Sequence, residues 1–211
     1  MEIGGKVDDF EMMKKVSAAL VDGDATGVVD LTGVNAPSLA GSLKSNVKVL
    51  PSLEALREST VTAAIVITNR LLDVRDFGRP VVILRPKNLV AGIGCNRGTS
   101  ADEITGAVEA VLLEHGLSIK SLKGLASVDA KRDEMGLVDA ARRLGLPLTF
   151  CEKATLNAVP DVPNASAAAM KFVGVQGVAE PAALHVSGGK LVVEKVKSGN
   201  VTVAVAESPS R

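Results

Sequence analysis

Apolar residues near the start of the chain recur every three to four places, at Phe10, Met13, Val16 and Leu20, which predicts an amphipathic helix with one buried face. Asp8 and Asp9 can cap its start, and Gly23 stands near its end. The pattern then shortens. "TGVVDL" and "NVKVL" read as strands on either side of a Pro-Ser-Leu-Ala-Gly-Ser loop, "SLEALRES" as a short helix, and "TAAIVIT" and "RPVVILR" as buried strands. From Lys87 onward the alternation is more regular. "NLVAGIG" reads as a strand, Ser100 to about His115 as a helix, "LKGLASV" as a strand, "DEMGLVDAARRLG" as a helix and "LPLTF" as a third strand. Finally "KLVVEKV" and "VTVAVAE" alternate around Lys197-Ser198-Gly199-Asn200, which predicts an antiparallel hairpin. The expected fold class is α/β: a small α/β domain over residues 1–87, then a three-layer αβα domain over 88–211 with a mainly parallel, mixed sheet and right-handed crossovers.

Composition narrows what such a fold can do. The 211 residues carry 24 basic and 24 acidic side chains, so the chain lacks the basic excess of a dedicated nucleic-acid binder or a membrane-surface protein. Four Phe with no Tyr or Trp leave few stacking platforms for bases, although aliphatic and Met surfaces can cover a planar ring. Cys95 and Cys151 lie far apart and form no CxxC pair, which points to a reducing, cytoplasmic setting. The start shows no signal peptide, and no apolar run approaches the ~20 residues of a membrane span. Neither nucleic acid nor membrane is an expected partner.

Three turns concentrate the candidate chemistry. In the first, the strand breaks into Gly92-Ile93-Gly94-Cys95-Asn96-Arg97-Gly98, and Ser100 and Glu103 have capping-box spacing for the next helix. Unpaired amides and the positive dipole end of that helix would then face the glycine-rich loop, a combination that attracts a phosphate or carboxylate. Arg97 can add a bidentate clamp. The plainer alternative is that Gly92 and Gly94 only allow a strand and a helix to pack closely. A dinucleotide fingerprint fails, because Arg97 stands where the third glycine belongs, and a P-loop fails for want of a lysine after Gly98.

"ASVDAKRDEMG" is the second turn, where Ser127, Asp129, Lys131, Arg132, Asp133 and Glu134 crowd between strand and helix, with Asp133 available as a cap. Both turns follow strands, so they should share the carboxyl edge of the sheet. The third is "GVAEPAALHVSGG": Pro181 suits a first helical turn, and Glu180 is expected just outside the helix start, held extended by the proline and free to act as a base or ligand contact. His115 and His185 fall at expected helix ends, and with no His/Cys/Asp cluster at ligand spacing no metal site is expected. Cys95 would be nucleophilic only if the helix dipole lowered its pKa; a buried structural thiol is the competing reading.

"GIGCNRGTS", "ASVDAKRDEMGL", "RLGLPLTF", "VPNASAAAMKFVGVQGVAEPAAL" and "VTVAVA", in this order, resemble the C-terminal domain of the cobalamin-biosynthesis protein G family (CbiG) over about residues 87–206. The same region is similar to CobE, a stand-alone protein of the aerobic pathway. Residues 10–86, with "KKVSAALVDG" and "IVITNR", resemble the family's central linker domain. The resemblance implies a cobalt-precorrin-5A hydrolase of anaerobic vitamin B12 synthesis, which opens a δ-lactone on a cobalt-bearing tetrapyrrole and releases acetaldehyde. Cobalt would arrive with the substrate, so no separate cofactor is expected. The family's N-terminal domain is not matched, which makes a separate protein carrying it a candidate partner.

By matching position, Gly94, Cys95, Arg97, Gly98, Thr99 and Ser100 become substrate-binding candidates, together with Ser127, Asp129 and Lys131 of the second turn. Glu180, or failing it Glu134, becomes the base that activates water, with backbone N–H groups of residues 94–100 stabilising the oxyanion. Asn96 stands where a basic residue is expected, and Met135 where a proline is. Two other readings are a module that binds the tetrapyrrole without converting it and a nucleotide-binding enzyme.

Overall fold

The computed structural model describes residues 5–33, 44–164 and 167–209. The Pro-Ser-Leu-Ala-Gly-Ser loop lies outside them. The chain divides into two compact units, Met1–Lys87 and Asn88–Pro209.

The first unit is a five-stranded sheet in the order β1-β5-β4-β2-β3, formed by β1 (Gly5–Val7), β2 (Thr26–Asp30), β3 (Val47–Val49), β4 (Ala63–Ile67) and β5 (Val81–Pro86). All pairs are parallel except β1 with β5. Successive residues of a strand face opposite sides. Ala63 and Ile65 of β4 therefore pack with Val16 and Leu20 of α1 (Phe10–Asp22). Ala64 and Val66 face the other way, toward Leu56 of α2 (Leu53–Glu58). Asp9 caps α1 by accepting from the Glu11 and Met12 amides, and Gly23 ends it in the left-handed region.

The expected stripe on α1 is only partly buried. Val16 is buried, whereas Phe10 and Met13 are exposed, because the helix meets the sheet mainly through its later turns. Asp8 is not a cap: its carboxylate accepts from Nε (2.9 Å) and Nη2 (2.6 Å) of Arg85, a residue only 2% exposed. The same guanidinium donates to the carbonyls of Thr68 and Arg70, so this buried charge is both paired and hydrogen-bonded.

The second unit has the sheet order β8-β7-β6-β10-β9. Its strands are β6 (Leu89–Cys95), β7 (Leu122–Val128), β8 (Leu148–Cys151), β9 (Lys190–Ser198) and β10 (Val201–Glu207). β6, β7 and β8 are parallel, while β10 runs antiparallel to both β6 and β9. The sheet is thus mixed, with the hairpin β9-β10 completing it beside the first parallel strand. Alternation along β6 sets the layers: Leu89, Ala91 and Ile93 face α3 (Ala101–Glu114) and α4 (Met135–Leu144). Val90 faces α5 (Lys153–Asn157), α6 (Ala167–Val173) and α7 (Ala179–Ser187). Gly92 follows Val90 on that face, where a Cβ would come within 1.9 Å of the Ala179 carbonyl oxygen, so its role is close strand–helix packing. No described helix is long and apolar enough to cross a membrane.

Candidate functional site

The chain leaves β6 through the glycine-rich turn at the carboxyl edge of the sheet. Asn96 fixes the turn to the β9-β10 hairpin, because its amide donates to the Asn200 carbonyl (2.9 Å) and its Nδ2 to Asn200 Oδ1 (2.8 Å). Gly98, at φ +76, then bends the backbone so that Ser100 can cap α3 by accepting from the Glu103 amide (3.2 Å). Only half of the expected capping box forms. The Glu103 carboxylate instead accepts from the Asn200 amide (2.9 Å), and Asp102 pairs with Arg143. Neither acid opposes an anion at the turn.

The second turn meets the first, as both follow parallel strands. Glu134, 6% exposed, accepts from the Gly98 amide (2.9 Å) and from Lys131 Nζ (3.1 Å), and Arg97 lies 3.7 Å away. The Gly98 hydrogen bond, followed by Lys131, holds its carboxyl below the ordinary glutamate range despite burial. Gly136 permits this contact between turns, since a Cβ there would fall 1.9 Å from the Thr99 carbonyl oxygen. The amide cradle expected around residues 94–100 is therefore largely filled from within: Gly98 by Glu134, Asn96 by Asn200, and Thr99 by the Asn96 carbonyl (3.4 Å). Asp133 is not the cap of α4; it is exposed and lies 3.6 Å from Arg97.

Glu180 lies inside the first turn of α7, not ahead of it, and is 1% exposed. Proline at the next position is compatible with that, because the first helical N–H groups have no partner within the helix. Its Oε1 accepts from Asn164 Nδ2 (2.8 Å) and from the Lys195 amide (3.0 Å), and its Oε2 from the Asn164 amide (3.1 Å). Lys195 Nζ in turn donates to the Asn164 carbonyl (2.7 Å). One carboxylate thus ties the 164 segment to β9 beneath the strand edge.

These pieces enclose a cavity of about 550 Å³. Gly94 and Cys95 form its floor, with Arg97, Lys131 and Glu180 around them. Residues not among the candidates complete it: Asn164, Lys195 and Lys197 on one side, Phe172 of α6 on another. Lys195 and Lys197 are two apart on β9 and so share a face, a signal present in "EKVKS" but overlooked for want of a motif. Neither is ion-paired with a carboxylate among the described residues, unlike Lys131.

Of the remaining predicted residues, Gly98, Thr99, Ser100 and Glu134 shape the turns behind the cavity wall. Thr99 Oγ1 donates to the Asn96 carbonyl (2.8 Å). Ser127 is buried and donates to the Ile93 carbonyl (2.8 Å), joining β7 to β6. Asp129 opens a short 3-10 turn, and one of its carboxylate oxygens is buried without a partner among the described residues. Both stand apart from the cavity lining. Burial raises the Cys95 thiol above its ordinary range, the opposite of helix-dipole activation. No cluster of three or more His, Cys, Asp or Glu suited to a metal occurs among the described residues.

Comparison with known proteins places this arrangement. Residues 89–206 match the family described as cobalamin synthesis G C-terminus, and residues 1–86 the cobalamin biosynthesis central region. A cobalt-precorrin-5A hydrolase of Priestia megaterium is 36% identical over 96% of this chain and 55% of its own length. Protein CobE of a Sinorhizobium species is 36% identical over 56% of this chain and 79% of its own. The crystal structure of a CobE, 38% identical, superposes with a TM-score of 0.56 over 60% of this chain and 94% of that one. The chain spans about half the length of the curated hydrolase it matches. With both regions matched in order, the chain belongs to the cobalamin biosynthesis G family, and its role lies in cobalamin biosynthesis.

Proposed function

We propose that the chain binds cobalt-precorrin-5A, a cobalt-bearing tetrapyrrole, and opens its δ-lactone with release of acetaldehyde. The observation that carries this reading is the cavity at the carboxyl edge of β6, where four cations, Arg97, Lys131, Lys195 and Lys197, surround a wall containing Glu180. The substrate's rim carries acetate and propionate arms, which guanidinium and ammonium groups can hold. Relatives named cobalt-precorrin-5A hydrolase support the same chemistry.

Between the two acids, Glu180 suits the base better. Glu134 is held below the ordinary range by Gly98 and Lys131 and lies behind the wall, which weakens it as a proton acceptor. Among the described residues Glu180 Oε2 accepts one hydrogen bond, from the Asn164 amide, which leaves a lone pair for a water attacking the lactone carbonyl. Since Glu134 and Asn200 fill the Gly98 and Asn96 amides, the developing oxyanion falls to the cations, Lys131 or Lys195 first.

Glu180→Gln tests the assignment. With tetrapyrrole binding retained, acetaldehyde release on anaerobic incubation with the lactone should fall by about 10²-fold or more, the scale of losing a general base. Undiminished release removes Glu180 from the reaction.

A second reading, a binding or carrier module that converts nothing, is favoured by the three hydrogen bonds that tie Glu180 to Asn164 and β9, a structural use of the same carboxylate. The extent of the CobE match agrees with it. In that case the unsubstituted chain binds the lactone and releases no acetaldehyde alone, and release returns when a separate protein with the family's N-terminal domain is added.

A further inference from the structure

The cavity has two unlike walls. One is cationic, with Lys195 and Lys197 not ion-paired with a carboxylate among the described residues; the other is apolar, built by Ala169, Phe172 and Val173 of α6 and by Val178. Phe172 is 78% exposed on that wall. The chain has four Phe and neither Tyr nor Trp, and Phe150, the other Phe of the second unit, packs against the core with Arg132 at 5.3 Å from its ring centroid. Phe172 is therefore the single aromatic side chain at the cavity, and water covers most of it. A ring exposed beside a cavity offers an apolar face whose covering by a flat ligand is favourable.

We infer that Phe172 is the platform against which one face of a flat macrocycle stacks, while Lys195 and Lys197 hold carboxylate arms at its rim. The inference rests on the tetrapyrrole reading above and adds the selectivity of the site: it takes polyanions that also present a planar, apolar face, and the ring adds nothing to the binding of polycarboxylates without one. Charge complementarity selects this occupant over an apolar one, because four cations line the same cavity. Lys171, whose Nζ is 5.4 Å from the Phe172 centroid, adds a fifth cation on the same helix. Stacking on the ring is a contact that a small polycarboxylate cannot make.

The test uses the full chain and two probes. Uroporphyrin III is planar with eight carboxylates; tricarballylate is a small, flexible tricarboxylate, read by displacement of the porphyrin. Phe172→Ala should weaken uroporphyrin about ten-fold, the range expected for loss of one stacking contact, and leave tricarballylate unchanged. Phe172→Leu should fall between, and circular dichroism of both variants should match the parent because the side chain is exposed. Lys195→Ala/Lys197→Ala should weaken both probes. Equal uroporphyrin affinity in Phe172→Ala and parent, with the lysine variant impaired, overturns the platform and leaves the tetrapyrrole site standing. Absence of uroporphyrin binding by the parent overturns the site reading and the platform together.

Discussion

Glu134 shows how a residue chosen as a catalytic candidate can serve first as architecture. Its carboxylate bridges the Gly98 amide of one turn and Lys131 of the next, so charge, hydrogen bond and burial all refer to the native state. Because its folded pKa is depressed, its contribution to stability is present above the unfolded value of about 4.5 and is lost as pH falls through the folded value. Glu134→Gln should then destabilise the chain by about 1–3 kcal/mol at neutral pH, since the amide group offers one acceptor where two donors converge. The gap from the parent should narrow as pH drops below the ordinary glutamate range. Urea unfolding across that range is the measurement, and a gap independent of pH would remove the charged bridge as its cause. At the same scale, Asn96, where a basic residue was expected, joins the turn to the hairpin through Asn200 and so has a structural use.

At the scale of elements, two glycines of β6 separate packing from binding. A Cβ on Gly92 would meet the Ala179 carbonyl oxygen at 1.9 Å and the Ala183 amide at 2.8 Å, both backbone, whereas one on Gly94 would rest 3.7 Å from Thr202 and Val178. Gly92→Ala should cost about 1–3 kcal/mol or more by forcing α7 away from the sheet, and Gly94→Ala should leave the melting temperature near the parent's. Gly94→Leu should keep the fold and lose porphyrin binding by filling the cavity floor. Melting curves with porphyrin titrations decide; a stable Gly92→Ala would contradict the close packing.

The same elements show what the sequence pattern carries. α3 and α4 were legible because Ile104, Val108, Val111 and Leu112, or Leu137 and Ala141, repeat at helical spacing against one core. Strands β6 to β8 were legible as apolar runs between turns. The helices α5 and α6 were not, because "EKATLNAVPDVP" and "AAAMKFV" offer too few turns for a period to emerge. Long-range partners explain the rest. That Glu180 would be held by Asn164 and a β9 amide, or that Glu134 would reach Gly98, depends on contacts between distant segments that no local spacing encodes.

Across the whole molecule, 24 cations balance 24 anions, so no net field draws an acidic ligand in, and the attraction must come from the cavity. The cavity cations are not equivalent. Lys131 is neutralised by Glu134 and Arg97 stands near Asp133 and Glu134, whereas Lys195 donates to a neutral carbonyl and Lys197 is unpaired among the described residues. Binding of a polyanionic porphyrin should therefore weaken steadily from about 0.05 to 0.5 M salt, as screening shortens from over 10 Å to a few ångströms. Removing Lys197 should flatten that dependence more than removing Lys131, whose loss should chiefly destabilise the turn by stranding Glu134. Titrations at stepped salt for the parent, Lys197→Ala and Lys131→Ala separate the two roles. An affinity indifferent to salt in the parent would mean that the hairpin lysines do not meet the ligand's charge, and the apolar wall alone would then have to account for binding.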